Sequence, residues 1–137
     1  MADITPEIEA ALEQHLLSIS GIPNVAWENG DFEPTTGTPY LEVYHIPTIR
    51  EPATRGNNFI NYYQGVFAVD CMLPANKGRG AATELTSRII EAFEANTDIA
   101  LSLTGKYVRI RASNKQTGTP EGAFFRVPVN IRWYAYD

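Results

Sequence analysis

The chain has little of what most secreted, membrane or disulfide-stabilised proteins need. Its 137 residues contain one cysteine, Cys71, so no internal disulfide can form and a reducing cytoplasm is the natural place of synthesis. No apolar run approaches the roughly 20 residues that span a membrane. The first residues are acidic and amphipathic, which is unlike a secretory signal. We therefore expect neither export through a signal peptide nor a membrane partner.

Motifs for metal, nucleotide or nucleophilic chemistry are missing as well. The histidines, His15 and His45, and Cys71 do not have the spacing of metal ligands. A glycine loop at 78–80 precedes a helical pattern, but Lys77 comes before the glycines, which is not the phosphate-binding order. Cys71 shares a strand face with apolar residues, and a buried thiol is unreactive. We expect no enzyme, no catalytic or metal-binding residue and no cofactor.

What the sequence does contain is the composition of an ordinary folded domain. Hydrophobic residues make up 44% of the chain and charged residues 20%, which is the balance of a soluble globular protein. A chain of this length is able to bury its own core. We therefore predict a single domain over residues 1–137.

The clearest structural pattern runs from Phe59 to Phe93. Residues alternate along 59–73 so that Phe67 and Val69 share one face with Cys71, which is typical of a half-buried strand. After the glycine loop, apolar residues recur at helical spacing up to Phe93. Because the strand and the helix each have one apolar face, each must pack against another layer.

Another helix is predicted near the start of the chain. Thr5 as N-cap and Pro6 in the first turn would begin it, and Gly21 would end it. Pro47 and Pro128 indicate an edge or a bulge in their strands. Besides the central one, strands are predicted at 25–27, 40–46, 107–113 and 123–136.

Polar segments separate these elements. Residues 28–39 and 50–58 have the composition of loops, and residues 114–122 would close a C-terminal hairpin. Residues 99–103 fit either a turn of helix or a lead-in to the sheet. The order of elements predicts an α+β fold in two layers, with a mostly antiparallel mixed sheet, two helices packed on one face and a long C-terminal β-hairpin.

Charge is distributed unevenly along the chain. Residues 1–76 carry ten acidic and two basic side chains, a balance of −8, whereas residues 77–137 carry nine basic and six acidic, a balance of +3. The two balances sum to the formal net charge of −5. The asymmetry fits separate solvated surfaces, and it equally fits head-to-tail association of an acidic side with a basic side.

The basic residues define the candidate interaction surface. Arginines recur at alternate positions on both strands of the C-terminal hairpin, beside Tyr107 and Tyr134. Such a face can bind single-stranded nucleic acid, but a pI near 5.0 is unlike a dedicated nucleic-acid binder. We therefore favour contact with other protein chains, through nine candidate residues: Arg50, Arg55, Lys77, Arg79, Arg109, Arg111, Lys115, Arg126 and Arg132.

Several motifs resemble the tail terminator-like proteins of long-tailed (siphophage-type) bacteriophages. The first is IPNVAWEN at 22–29, followed by Phe32 and by GTPYLEV at 37–43. The second is GVFAVDCMLP at 65–74, followed by the glycine loop and a helix that ends at Phe93. The C-terminal hairpin also fits, so the resemblance covers nearly the whole chain. The family commonly has a proline after the tryptophan, where this chain has Glu28.

The resemblance implies a virion structural protein, made in the host bacterial cytoplasm and located at the head-proximal end of the tail. Family members of this type assemble a ring, usually a hexamer, that stops polymerisation of the tail tube and offers a head-docking surface. The implied partners are other copies of the chain, the major tail (tube) protein and a head-completion or connector protein, with DNA only as passing cargo. The alternatives are another head–tail joining ring protein and, more distantly, a single-stranded nucleic-acid-binding module that uses the arginine-rich hairpin.

Overall fold

The structure, a computed structural model, describes residues 3–137. Two helices, α1 (Thr5–Leu17) and α2 (Gly80–Ala92), pack on one face of a seven-stranded sheet. The strands are β1 (Asn24–Ala26), β2 (Tyr40–Pro52), β3 (Asn61–Pro74), β4 (Asp98–Ala100), β5 (Tyr107–Lys115), β6 (Thr119–Glu121) and β7 (Phe124–Tyr136). This arrangement confirms the predicted α+β class.

The strand order places the longest strands at the centre of the sheet. Neighbours run β1-β2-β3-β7-β5-β4, with β6 beside the beginning of β7. Only β1 pairs in parallel, with β2, and the other pairs are antiparallel. The predicted C-terminal hairpin forms, but the segment that closes it is not a single loop. Residues 119–121 form β6, so the tight turn falls at 122–123.

The core lies between the helices and the inner face of the sheet, which is the face toward α1 and α2. The alternation in β3 holds, because Phe67, Val69 and Cys71 are fully buried there. Burying one such side chain contributes about 1.5–3 kcal/mol. Matching residues come from both helices and from β7: Ile8, Leu12, Leu16, Leu85, Ile89, Phe93, Val127, Val129 and Ile131.

Helix α1 begins differently from the prediction. Thr5 is itself helical and Ile4 occupies the N-cap position, where its side chain forms no capping hydrogen bond. Asp3 Oδ1 instead accepts hydrogen bonds from the Thr5 backbone N–H at 2.9 Å and from its hydroxyl at 2.6 Å. These bonds hold the pKa of Asp3 below its usual range. The predicted threonine cap was wrong, and a carboxylate stabilises the positive end of the helix instead.

Pro47 and Pro128, the prolines expected to mark an edge or a bulge, lie where a strand pairing is interrupted. The register of β2 against β3 shifts immediately after Pro47, which is the predicted bulge. Pro128 lies in a central strand, fully paired with β3 on one side. On its other side, β6 pairs only up to Arg126 and β5 only from Val129, so the missing N–H of proline falls at the gap between them. The Pro128 carbonyl accepts a hydrogen bond from Gln116 in this gap.

Three segments that the sequence predicted as loops or left undecided are ordered in the structure. β2 continues to Pro52 and pairs with β3 as far as Asn61, so residues 50–52 are strand and not a mobile loop. The alternating pattern stops at the bulge, which hid this extension. Of the undecided residues 99–103, the first two belong to the edge strand β4. The 28–39 loop is held by Phe32, whose ring packs against that of Tyr40 at 5.0 Å between centroids.

Gly65 is the position in β3 where a side chain has no room. Trp133 of β7 lies opposite and covers it, so a Cβ at residue 65 would lie 2.5 Å from Trp133 Cζ2 and 3.0 Å from the Ile46 carbonyl oxygen. We predict that Gly65→Ala lowers the free energy of unfolding by about 1–3 kcal/mol, the usual cost of overpacking. Urea denaturation followed by circular dichroism measures the loss.

A matched control is available in α2. Gly80 has ample space, since a Cβ there would meet no atom within 4 Å. Gly80→Ala should leave stability unchanged or raise it slightly, because alanine favours a helix. Equal stability of Gly65→Ala and the unmodified chain would contradict the packing argument.

Candidate assembly surface

The outer face of the sheet, opposite the helices, displays polar and aromatic side chains. Strand alternation places there every second residue of β7, whereas the residues between them face the core. All four arginines of the C-terminal hairpin reach this face. The outer face of β3 and β7 therefore carries a mixed set: Tyr62, Gln64, Asp70, Arg126, Asn130, Arg132, Tyr134 and Tyr136.

Arg126 is held by carboxylates at one end of the outer face. Its guanidinium contacts Asp70 and lies 2.6 Å from Glu121 Oε2 and 3.4 Å from Glu42 Oε1. The side chain of Asp70 is 2% exposed. Burial raises the pKa of Asp70, although hydrogen bonding to Arg126 acts in the opposite direction. The same arginine holds the pKa of Glu121 below its usual range, so Arg126 is already neutralised within the fold.

Arg109 is also paired within the chain. Its Nε lies 2.6 Å from Asp98 Oδ1 and its Nη2 3.1 Å from Oδ2, a two-point contact between β5 and β4. These hydrogen bonds hold the pKa of Asp98 below its usual range. The predicted basic stripe is therefore interrupted, because two of its four arginines have internal counter-charges.

Arg111 and Arg132 remain beside a group of tyrosines. The Arg111 guanidinium lies 4.6 Å from the centroid of the Tyr134 ring and donates a hydrogen bond to Tyr62 Oη at 2.9 Å. The rings of Tyr62, Tyr134 and Tyr136 lie 5.2–6.4 Å apart. Most side chains at this end of the outer face are exposed to solvent. We define the tyrosine–arginine patch as six residues: Tyr62, Tyr107, Arg111, Arg132, Tyr134 and Tyr136.

An acidic cleft lies at the other end of the strand order, between α1 and the edge of β2. It has a volume of ≈ 530 Å³. We define it by five of its lining residues: Glu9, Glu13, Trp27, Glu28 and His45. His45 Nε2 lies 2.8 Å from Glu13 Oε2, and the His45 backbone N–H donates to Glu28 at 3.0 Å. His45 Nδ1 is buried and has no hydrogen-bond partner among residues 3–137.

The other predicted interface residues are dispersed over the molecule. Arg50 lies on the helix side of β2, with its Nε 3.3 Å from Tyr63 Oη. Lys115, at the end of β5, lies on the helix side too, where its Nζ is 3.4 Å from the Thr83 hydroxyl. The nine residues do not form one continuous surface, and their role in an interface stays a prediction. Three of them are exposed in connections: Arg55, Lys77 and Arg79.

The side chains of Cys71 and His15 are engaged inside the fold. Burial raises the pKa of the Cys71 thiol to about 12, so it stays protonated and unreactive at neutral pH. His15 Nε2 is occupied by the Ala92 carbonyl at 2.7 Å. Within residues 3–137, no group of histidine, cysteine or carboxylate side chains is arranged to hold a metal ion. Neither described helix is long and apolar enough to cross a membrane.

Sequence reasoning missed the acidic cleft. Its residues come from α1, from the loop after β1 and from β2, and nothing in their spacing indicates that they meet. Tyr62 and Tyr136 were assigned to strands but not to an interaction surface. A count of aromatic residues on the outward positions of the two central strands would have indicated them.

The fold carries two candidate contact surfaces, the tyrosine–arginine patch and the acidic cleft. The particular family follows from comparison with known proteins. The family model described as phage tail terminator protein matches residues 7–133, and the chain belongs to that family. It is accordingly a phage tail structural protein.

Comparison with solved structures finds proteins of similar fold, and the similarity extends along nearly the whole chain. Twenty chains match, and one of them has a TM-score of 0.73 and 25% sequence identity, with 96% of this chain and 94% of that chain covered. The name of that structure is a bare sequence identifier and states no function. No curated protein matches this sequence.

The Arg126 cluster generates a prediction about stability and pH. We expect Arg126→Ala to lower the free energy of unfolding at pH 7 by about 3 kcal/mol, because the buried Asp70 carboxylate loses its counter-charge. Burial raises the pKa of Asp70, so the folded variant binds that proton more tightly than the unfolded chain does. The deficit should therefore shrink as the pH falls from 7 toward about 4. Urea denaturation at several pH values measures it.

A second variant isolates the buried charge. Asp70→Asn in the Arg126→Ala background should recover most of the lost stability at pH 7, since asparagine has no charge to neutralise. A deficit that is independent of pH, or that persists with asparagine, would show that Arg126 acts through packing alone.

Proposed function

We propose that this chain assembles into a hexameric ring that caps the head-proximal end of the phage tail tube. The ring ends tube polymerisation and presents the surface to which a head-completion or connector protein docks. The observation that carries this proposal is the terminator family match, which spans residues 7–133. It includes α2 and strands β1 to β6 whole, all but the first two residues of α1 and all but the last three of β7.

The geometry of the two surfaces supports a ring. The acidic cleft lies at the β2 edge, on the helix side of the sheet, and the tyrosine–arginine patch lies on the outer face of β3, β7 and β5. Two different surfaces on opposite faces of one subunit favour head-to-tail contacts. Such contacts close into a ring when the rotation between neighbours allows it.

The charge of the subunit supports a conduit role for that ring. With a formal net charge of −5, the chain lacks the strong positive field of a nucleic-acid binder. Two of the four hairpin arginines are engaged by carboxylates, which weakens the single-stranded nucleic-acid alternative further. DNA would pass through such a ring without being held.

We predict that the purified protein, labelled with gold, binds one tip of purified tail tubes and appears there as a ring by electron microscopy. Added to polymerising tube protein, it should stop elongation and shorten the tubes. The measurement is tube length and label position, with an unrelated protein of similar size and net charge as the control.

Two results would contradict the proposal. Label along the sides of the tubes, or unchanged tube length at saturating protein, would exclude a terminator. Binding to heads alone, with no contact to tubes, would indicate a head–tail joining ring in its place.

A further inference from the structure

We propose that the tyrosine–arginine patch of one copy of this chain binds the acidic cleft of the next copy. The inference rests on the proposed ring, and it assigns the two surfaces that hold neighbouring subunits together. Its partner is a second copy, because the charges that complement the patch are present on the same chain.

The cleft offers negative charge that the fold uses only in part, through the contacts of Glu13 and Glu28 with His45. Glu9 forms no hydrogen bond or ion pair with any residue of the described part of the chain, in contrast to Arg109 and Arg126 with their internal partners. Glu13 and Glu28 add two further carboxylates to the same cleft. A cationic side chain of a neighbour would therefore meet three carboxylates at once.

Two further features of the cleft indicate that it binds a group with a positive charge and hydrogen-bond donors. Trp27 is 36% exposed at its rim, and an indole face attracts a guanidinium. His45 lines the cleft with a side chain that is only 9% exposed, yet its Nδ1 has no partner in the described residues. Buried polar atoms are normally paired, so the free subunit leaves the acidic cleft incomplete.

The patch has the composition of an interface centre. Tyrosine and arginine are enriched among residues that dominate binding energy, whereas this patch is left uncovered by the fold. Tyr107 and Tyr136 are 49% and 48% exposed. Arg111 is already oriented by Tyr62 and Tyr134, so less side-chain freedom is lost when it binds.

A charge-exchange experiment tests the assignment. Arg132→Glu and Glu9→Arg should each weaken self-association by about tenfold or more, because each places like charges across the interface. The double variant, with both changes on one chain, restores opposite charges and should associate nearly as well as the unmodified chain. Sedimentation velocity measures self-association, in parallel with ring formation at tube tips.

Glu91→Arg provides the matched control for Glu9→Arg. Glu91 is a helical, exposed glutamate in α2, outside both surfaces, and its replacement changes the net charge by the same amount. Its association should equal that of the unmodified chain. Circular dichroism confirms that all variants fold.

The outcomes separate this inference from the proposed function. If the unmodified chain forms rings and both single variants do so equally well, the interface assignment is overturned while the ring stands. If Arg132→Glu still self-associates but no longer binds tubes, the patch binds the tube protein and the inference is again wrong. If the unmodified chain forms no ring even at tube ends, the proposed function and the inference fail together.

Discussion

The structure depends on the pairing of β3 with β2 on one side and β7 on the other. This three-stranded ladder is long enough to bury one continuous apolar face beneath both helices. Its interior is tight at Gly65, where Trp133 occupies the space that a side chain would need. Because all the helical packing is on this one face, the opposite face stays available for contacts outside the chain.

On that outer face, some arginines are paired with carboxylates of the same chain and others are exposed to solvent. Arg126 and Arg109 each form an ion pair with a carboxylate on a neighbouring strand. The pair between Arg126 and Asp70 stabilises the fold, because the carboxylate of Asp70 is buried and needs a counter-charge. Arg111 is held by Tyr62 and Tyr134, Arg132 lies two positions before Tyr134 on the same face, and both arginines are exposed to solvent. An ion pair inside a subunit sets the shape of the surface, whereas an exposed arginine beside aromatic rings is suited to binding a partner.

Membership of the phage tail terminator family agrees with surfaces that contact other chains. A structural protein of a tail works by fitting against other chains, which depends on the shape and charge of its surface. The acidic cleft and the basic aromatic patch are different surfaces on opposite faces of one sheet, and head-to-tail assembly joins two different surfaces.

The sequence by itself determined the α+β class, the inner faces of β3 and β7 and the family, because alternation and helical spacing depend on local chemistry. The extension of β2 past its bulge, the Asp3 contact at α1 and strand β6 were decided only when strands and neighbours paired. The same holds for which arginines are neutralised, since Asp70 and Arg126 are 56 positions apart. Long-range contacts of this kind leave no trace in local pattern, and they alone bring Glu9, Trp27 and His45 together in one cleft.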